Sequence, residues 1–224
     1  MRLVAVSKTK PLELLQQAYH QGGQRIFGEN YAQELVEKAE QFFDGSKGDI
    51  TWHFIGGLQS NKANMLVKGV VPHGQLVVET VGSQKVANKL NNAMETVLKD
   101  NADNVELQQR LPVFVQVNTS GEEAKSGVTP QEAVELCQHI FSDNTCPHLK
   151  LQGVMTIGAI GDISNFETLV KCRDAVAEAL NVDSSSLELS MGMSGDYKEA
   201  IQYGATNVRV GSTIFGARDY SSKQ

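Results

Sequence analysis

Short apolar runs alternate with amphipathic stretches along the whole chain. The runs have the length and β-branched content of strands, and the stretches between them carry apolar residues at helical spacing. This pattern predicts eight strands: Leu3–Ser7, Arg25–Phe27, Thr51–Ile55, Leu76–Glu79, Val113–Val117, Leu149–Met155, Leu187–Ser190 and Asn207–Val210. A helical segment follows each of them.

The alternation predicts a closed (β/α)8 barrel of the TIM type, formed by residues 1–224 as one domain. A doubly wound open sheet is the alternative. That fold normally has a glycine-rich turn after its first strand, where this chain reads SKTKP from Ser7. The polar segment 101–110 is predicted to be a surface excursion.

Composition excludes several classes of function. The 20 basic and 26 acidic residues give a net charge of -6, and the basic residues form no stripe that would fit nucleic acid. No apolar run is long enough for a membrane span, and no signal peptide is visible, so the cytosol is the expected location. Three cysteines without CxxC spacing argue against a zinc site or a disulfide framework.

In such barrels the chemistry collects at the carboxyl ends of the strands, and the loops after strands seven and eight commonly hold a phosphate. Here those loops contain Ser194-Gly195 and Gly211-Ser212-Thr213. Hydroxyls and backbone N–H groups at glycines suit an anion. Either loop alone is better explained as an ordinary helix cap or glycine turn, but both together favour a phosphate site.

Two basic residues and one histidine are candidates for further chemistry. Lys8 directly follows the first strand, and a lone lysine there is more often simply solvated. The predicted phosphate loops opposite favour a partly desolvated amine at Lys8 that can attack an aldehyde, whereas Lys10 is expected to be a solvated bystander. Arg209 alternates with valines, so it either faces a ligand ring inside the barrel or packs outward under helices. His53 is expected to be structural, and no nucleophile elbow occurs.

Several strings resemble one known family. They are AVSKTKP at 5–11, FGENYAQE at 27–34, WHFIGGLQSNK at 52–62, VNTSGEEAKSGV at 117–128, GVMTIG at 153–158, and LSMGMSGDYKEAI with GATNVRVGSTIFGARDY within 189–220. These strings resemble those of the pyridoxal phosphate homeostasis proteins, in the same order and along nearly the whole chain. Those proteins are related to the N-terminal barrel of alanine racemase.

The resemblance implies pyridoxal 5'-phosphate as the cofactor, and the residue spacing predicts no metal site. It implies these cofactor-binding residues: Lys8, Asn30, Thr156, Met193, Ser194, Arg209, Gly211 and Ser212. Lys8 would carry the cofactor as an internal aldimine, and Arg209 would face the pyridine nitrogen. Ser194, Gly211 and Ser212 would hold the phosphate. Asn30 and Met193 would border the ring, with Thr156 nearby.

The chain departs from its relatives at both ends. Family members usually have a helix before the first strand, and this chain is expected to lack it. The racemases add a second domain that carries a catalytic tyrosine, whereas this chain ends at Gln224. These features predict a monomeric carrier in vitamin B6 homeostasis that serves apo-enzymes and has no catalytic residues of its own.

Alternatives to this prediction stay open at the level of sequence. They are an amino-acid racemase or another pyridoxal phosphate enzyme, a lysine Schiff-base aldolase on the same barrel, and a catalytically empty scaffold. A mitochondrial pool is the alternative to a cytoplasmic one.

Overall fold

The computed structural model of the chain describes residues 1–104, 106–121, 126–159 and 161–217. Eight parallel strands close into a barrel in chain order. They are β1 (Arg2–Val6), β2 (Ile26–Glu29), β3 (Thr51–Phe54), β4 (Gln75–Val81), β5 (Leu111–Gln116), β6 (Leu149–Met155), β7 (Glu188–Met193) and β8 (Asn207–Val210). The ladder between β1 and β8 confirms the predicted barrel and excludes the open sheet.

A helix follows every strand. The helices are α1 (Leu12–His20), α2 (Ala32–Phe42), α3 (Ala63–Val70), α4 (Gln84–Asp100), α5 (Pro130–Phe141), α6 (Ser164–Leu180), α7 (Tyr197–Gln202) and α8 (Ser212–Phe215), with 3-10 turns at Ser60–Lys62 and Ser184–Ser186. The start of α5 shows why these boundaries fall where they do. Pro130 opens the helix, and Thr129 and Glu132 form a reciprocal capping box. No helix in the described ranges is long and apolar enough to cross a bilayer.

Because side chains alternate between the two faces of each strand, the buried apolar residues form two separate cores. Trp52 and Phe54 of β3 belong to the main apolar core between the strands and the surrounding helices. Val77, Phe114 and Met155 form a second, smaller cluster. Because successive side chains of a strand point to opposite faces, this second cluster fills the inside of the barrel.

The amino-terminal end of the barrel is closed by polar contacts. Arg2 binds both carboxylate oxygens of Glu188, at 2.5 and 3.2 Å, and donates to the side-chain oxygen of Asn207 at 2.8 Å. A bidentate arginine–carboxylate pair has fixed geometry, so it ties β1 to β7 and β8. The open end of the barrel is therefore the opposite one.

β7 is longer than predicted. Its pairing with β8 continues past a register shift, from Ser190–Asn207 to Met193–Arg209. Gly192, at φ +92°, takes a left-handed conformation in this stretch. Met193 therefore ends the strand instead of lying in the following loop.

The prediction of a surface excursion over 101–110 is wrong toward the carboxyl-terminal end of that segment. Leu107 is 3% exposed and Gln108 is 8% exposed, while Val105 lies outside the described residues. The Gln108 side chain accepts from Leu76 N at 2.8 Å and donates to Leu76 O at 2.9 Å. Pairing between β4 and β5 begins only at Val78–Val113, so the amide of Gln108 supplies the missing partner of that backbone.

Candidate functional site

A cavity of about 380 Å³ opens at the carboxyl ends of the strands. Its lining includes seven of the eight residues that the resemblance implies: Lys8, Asn30, Met193, Ser194, Arg209, Gly211 and Ser212. Thr156 does not line the cavity, but its carbonyl accepts from Arg209 Nη2 at 2.7 Å. The string at 117–128 and the end of the string at 189–220 run partly through residues outside the described ranges, at 122–125 and 218–220.

Lys8 lies in a tight turn directly after β1. Lys10 N donates to Ser7 O at 3.0 Å and closes that turn. Lys10, expected to be a solvated bystander, lines the same cavity, and its ammonium donates to Ala217 O at 2.8 Å. Two lysine side chains therefore reach the cavity from one turn, and any covalent test must separate them.

The loops after β7 and β8 are tied to each other. Ser194 Oγ accepts from Gly211 N at 3.1 Å. A side chain on Gly211 would place its Cβ 3.2 Å from Val6 O, so the backbone packs closely there. Asp196 also lines the cavity, but its carboxylate accepts from Met193 N at 2.6 Å. The two loops thus form one rim of hydroxyls and backbone amides.

Arg209 forms the floor of the cavity. Its side chain points inward and the residue is 4% exposed, which decides between the two orientations left open by sequence. Nη1 donates to Ser190 Oγ at 2.6 Å. Nη1 lies 3.8 Å from a Glu79 carboxylate oxygen. Burial lowers the pKa of Arg209, and the carboxylates of Glu79 and Asp196 oppose that shift.

A buried acidic network below Arg209 was missed by the sequence analysis. Glu79 is wholly buried, its Oε1 lies 2.5 Å from His53 Nδ1, and its Oε2 accepts from Ser190 Oγ. Burial acts to raise the pKa of Glu79, but hydrogen bonds from His53 and Ser190 and the charges of His53 and Arg209 hold it below its usual value. His53 Nε2 has no hydrogen-bond partner among the described residues.

Part of the signal for this network was present in the sequence. Glu79 is a carboxylate within an apolar strand, two residues from Val77 and hence on the same inward face. His53 is buried and has a carboxylate partner that spacing did not reveal. Across the described residues, no group of histidine, cysteine, aspartate and glutamate side chains could hold a metal ion.

A second ionic cluster lies behind the Lys8 turn. Lys38 of α2 donates to Glu29 Oε1 and to Glu34 Oε1, both at 2.7 Å, and to Ser7 O at 2.9 Å. Ser7 Oγ donates to Glu29 Oε1 at 2.7 Å. Burial raises the pKa of Glu29 to about 7, against the charge and hydrogen bond of Lys38. Glu29 Oε2 has no partner within the described chain.

Comparison with known proteins places the chain in a family. The family described as alanine racemase, N-terminal domain, matches residues 1–219. A pyridoxal phosphate homeostasis protein of Pongo abelii is 47% identical over 99% of this chain and 78% of its own length. A protein of the same name in Schizosaccharomyces pombe is 43% identical over 96% of this chain and 84% of its own length.

Solved structures agree with this assignment. The PipY protein of Synechococcus elongatus, with pyridoxal phosphate bound, is 29% identical with a TM-score of 0.74, over 96% of this chain and 92% of its own. An alanine racemase of Clostridium difficile, at 14% identity and a TM-score of 0.68 over 99% of this chain and 56% of its own, shares the fold. The chain therefore belongs to the alanine racemase N-terminal domain family and, within it, to the pyridoxal phosphate homeostasis proteins.

Proposed function

We propose that this chain binds pyridoxal 5'-phosphate at Lys8 and serves vitamin B6 homeostasis as a carrier rather than as a catalyst. The observation that carries the proposal is the composition of one cavity. It collects a lysine amine, a buried guanidinium and a rim of hydroxyls and backbone amides. Relatives that share nearly half of the sequence are named pyridoxal phosphate homeostasis proteins, which supports the homeostasis part of the proposal.

The cavity has a chemical counterpart for each part of the cofactor. When bound, pyridoxal phosphate supplies an aldehyde that condenses reversibly with a primary amine. Lys8 would supply that amine, and the rim of Ser194, Gly211 and Ser212 would hold the phosphate. Asn30 Oδ1 is buried without a partner among the described residues, so it offers an acceptor to a polar ring substituent.

Arg209 is the residue that favours a carrier over a catalyst. A guanidinium only donates hydrogen bonds and keeps its protons at any pH relevant to proteins. A ring nitrogen that faces it must therefore act as an acceptor and stay unprotonated, which makes the ring a weak electron sink. Ser190 and the Thr156 carbonyl hold Arg209 in place, so this bias belongs to the resting protein.

Reversible release is the second part of the proposal. Lys8 is only partly buried, and the cavity opens to solvent at the barrel end. A cofactor anchored there stays accessible to water and to acceptor proteins. We therefore expect the chain to yield pyridoxal phosphate to apo-enzymes, and we expect it to act as a monomer.

The test is a titration of the purified protein with pyridoxal phosphate, followed by visible absorption. Two further assays accompany it. One assay measures transfer of the bound cofactor to an apo-enzyme, and the other measures racemisation of L-alanine. We expect saturable binding at one site, transfer, and no racemisation. Absence of saturable binding contradicts the proposal, and racemisation at about 1–10 per second, an ordinary enzyme rate, favours the racemase instead.

A further inference from the structure

The turn that carries Lys8 has an unfavourable backbone conformation. Its third residue, Thr9, has φ +61°. Turns with a positive φ at this position normally use glycine or asparagine, and a β-branched residue adopts it rarely. Thr9 is therefore held in this conformation by its surroundings, since its own preference is different.

The first and third residues of the turn are bonded to helix α2. Thr9 N donates to Glu34 Oε1 at 2.6 Å, and Lys38 Nζ donates to Ser7 O at 2.9 Å. Glu34 and Lys38 are also bonded to each other, at 2.7 Å. They lie four residues apart on one face of α2, so the two members of one ion pair each form a hydrogen bond to the backbone of the turn. We call Glu34 and Lys38 the α2 clamp.

The α2 clamp lies outside the binding cavity. Thr9, Glu34 and Lys38 are all absent from its lining, whereas Lys8, between the two gripped residues, is part of that lining. Charge-assisted hydrogen bonds of this kind are among the stronger ones in proteins. The contacts of the clamp thus act on the backbone that presents Lys8.

We propose that Glu34 and Lys38 are positioning residues that hold the Lys8 turn in its strained conformation, so that the Lys8 amine is presented to the cofactor before binding. This inference rests on the proposed function, because it assigns Lys8 as the anchor. It adds that anchoring of the cofactor depends on α2, although the side chains of Glu34 and Lys38 do not line the cavity.

A population argument gives the expected effect. The apparent dissociation constant rises as the fraction of molecules with the competent turn falls. Without Glu34 the Thr9 amide faces water, and threonine leaves the left-handed region. Loss of one charge-assisted hydrogen bond lowers the ratio of competent to other turn conformations by about tenfold or more, so once the strained turn is the minority its fraction falls by about tenfold. Glycine adopts positive φ freely, so Thr9→Gly removes most of the need for the clamp.

The experiment compares Glu34→Ala with Glu40→Ala, an exposed glutamate of the same helix, and with the Thr9→Gly, Glu34→Ala double variant. Glu34 is preferred to Lys38 as the target, because removal of Lys38 would leave Glu29 buried without a counter-charge. Each protein is titrated with pyridoxal phosphate, and the Thr9 amide is followed by hydrogen exchange without cofactor.

We expect about tenfold weaker binding in Glu34→Ala, unchanged binding in Glu40→Ala, and recovery to within about threefold in the double variant. If Glu34 only stabilised the fold, glycine at position 9 would not restore cofactor binding. Equal affinities in Glu34→Ala and Glu40→Ala would overturn the inference.

If the wild-type protein fails to bind the cofactor, the proposed function fails, and the exchange measurement still decides on the clamp. Faster exchange of the Thr9 amide in cofactor-free Glu34→Ala than in Glu40→Ala supports the clamp. Equal exchange rates in the two variants overturn it.

Discussion

Replacement of Glu29 by glutamine should change how stability depends on pH. Glu29 is wholly buried beside Lys38, and one of its carboxylate oxygens has no partner in the described chain. Burial is the largest influence on this group, and it raises the pKa from 4.5 to about 7. Glutamine keeps the size and the acceptor oxygen but does not titrate, and Lys38 retains Glu34 as a counter-charge.

The sign and the magnitude follow from linkage. Between pH 4.5 and 7 the folded protein keeps the proton on Glu29, whereas the unfolded chain has released it. The stabilisation from this group is therefore complete below pH 4.5 and is lost as the pH rises through about 7. The two pKa values differ by about 2.5, and each pH unit is worth about 1.4 kcal/mol, so the loss is about 3 kcal/mol.

The assay is urea unfolding of the wild type and Glu29→Gln at several pH values, followed by circular dichroism. The free energy of unfolding of the wild type, minus that of the variant, should fall by about 3 kcal/mol between about pH 4.5 and 8. Glu40→Gln, on the exposed side of α2, should give a difference that does not change with pH. A difference for Glu29→Gln that stays constant to within ~0.5 kcal/mol would refute the reasoning, because Glu29 would then titrate at its ordinary pKa.

Three further changes test other parts of the structure. Arg209→Gln should lower the free energy of unfolding by about 3–5 kcal/mol in urea, because it removes the buried guanidinium charge that faces the carboxylate of Glu79. Gly211→Ala should weaken pyridoxal phosphate binding, measured by titration, by about 1–2 kcal/mol, because the new Cβ crowds Val6 and displaces the rim. Gln108→Ala should cost about 1–3 kcal/mol of stability by thermal unfolding, since it removes both hydrogen bonds to the backbone of β4. A stability loss under ~0.5 kcal/mol in the first or last variant, or unchanged binding in the second, would contradict these assignments.

The barrel itself could be predicted from sequence because its signals are local. Each strand is marked by a short apolar run, and α5 is announced by Thr129, Pro130 and Glu132. β6 and β8 have the predicted bounds. The ends of β4 and β7 differ because their pairing depends on the neighbouring strand, which no local pattern contains.

The polar interior could not be predicted in the same way. Ser190 and Glu79 are 111 positions apart in sequence and meet only when the barrel closes. Alternation indicates which face of a strand a residue occupies, but not which side chain it meets across the barrel. The positive φ of Thr9 could not be predicted from the sequence either, because threonine is not a residue that marks such turns.

The most direct test of the account is to identify the lysine that holds the cofactor. Protein saturated with pyridoxal phosphate is reduced with borohydride, digested and mapped by peptide mass, in the wild type and in Lys8→Ala and Lys10→Ala. We expect one reduced adduct on Lys8, its loss in Lys8→Ala, and its persistence in Lys10→Ala. An adduct on Lys10, or adducts spread over surface lysines with Lys8 unmodified, would contradict it.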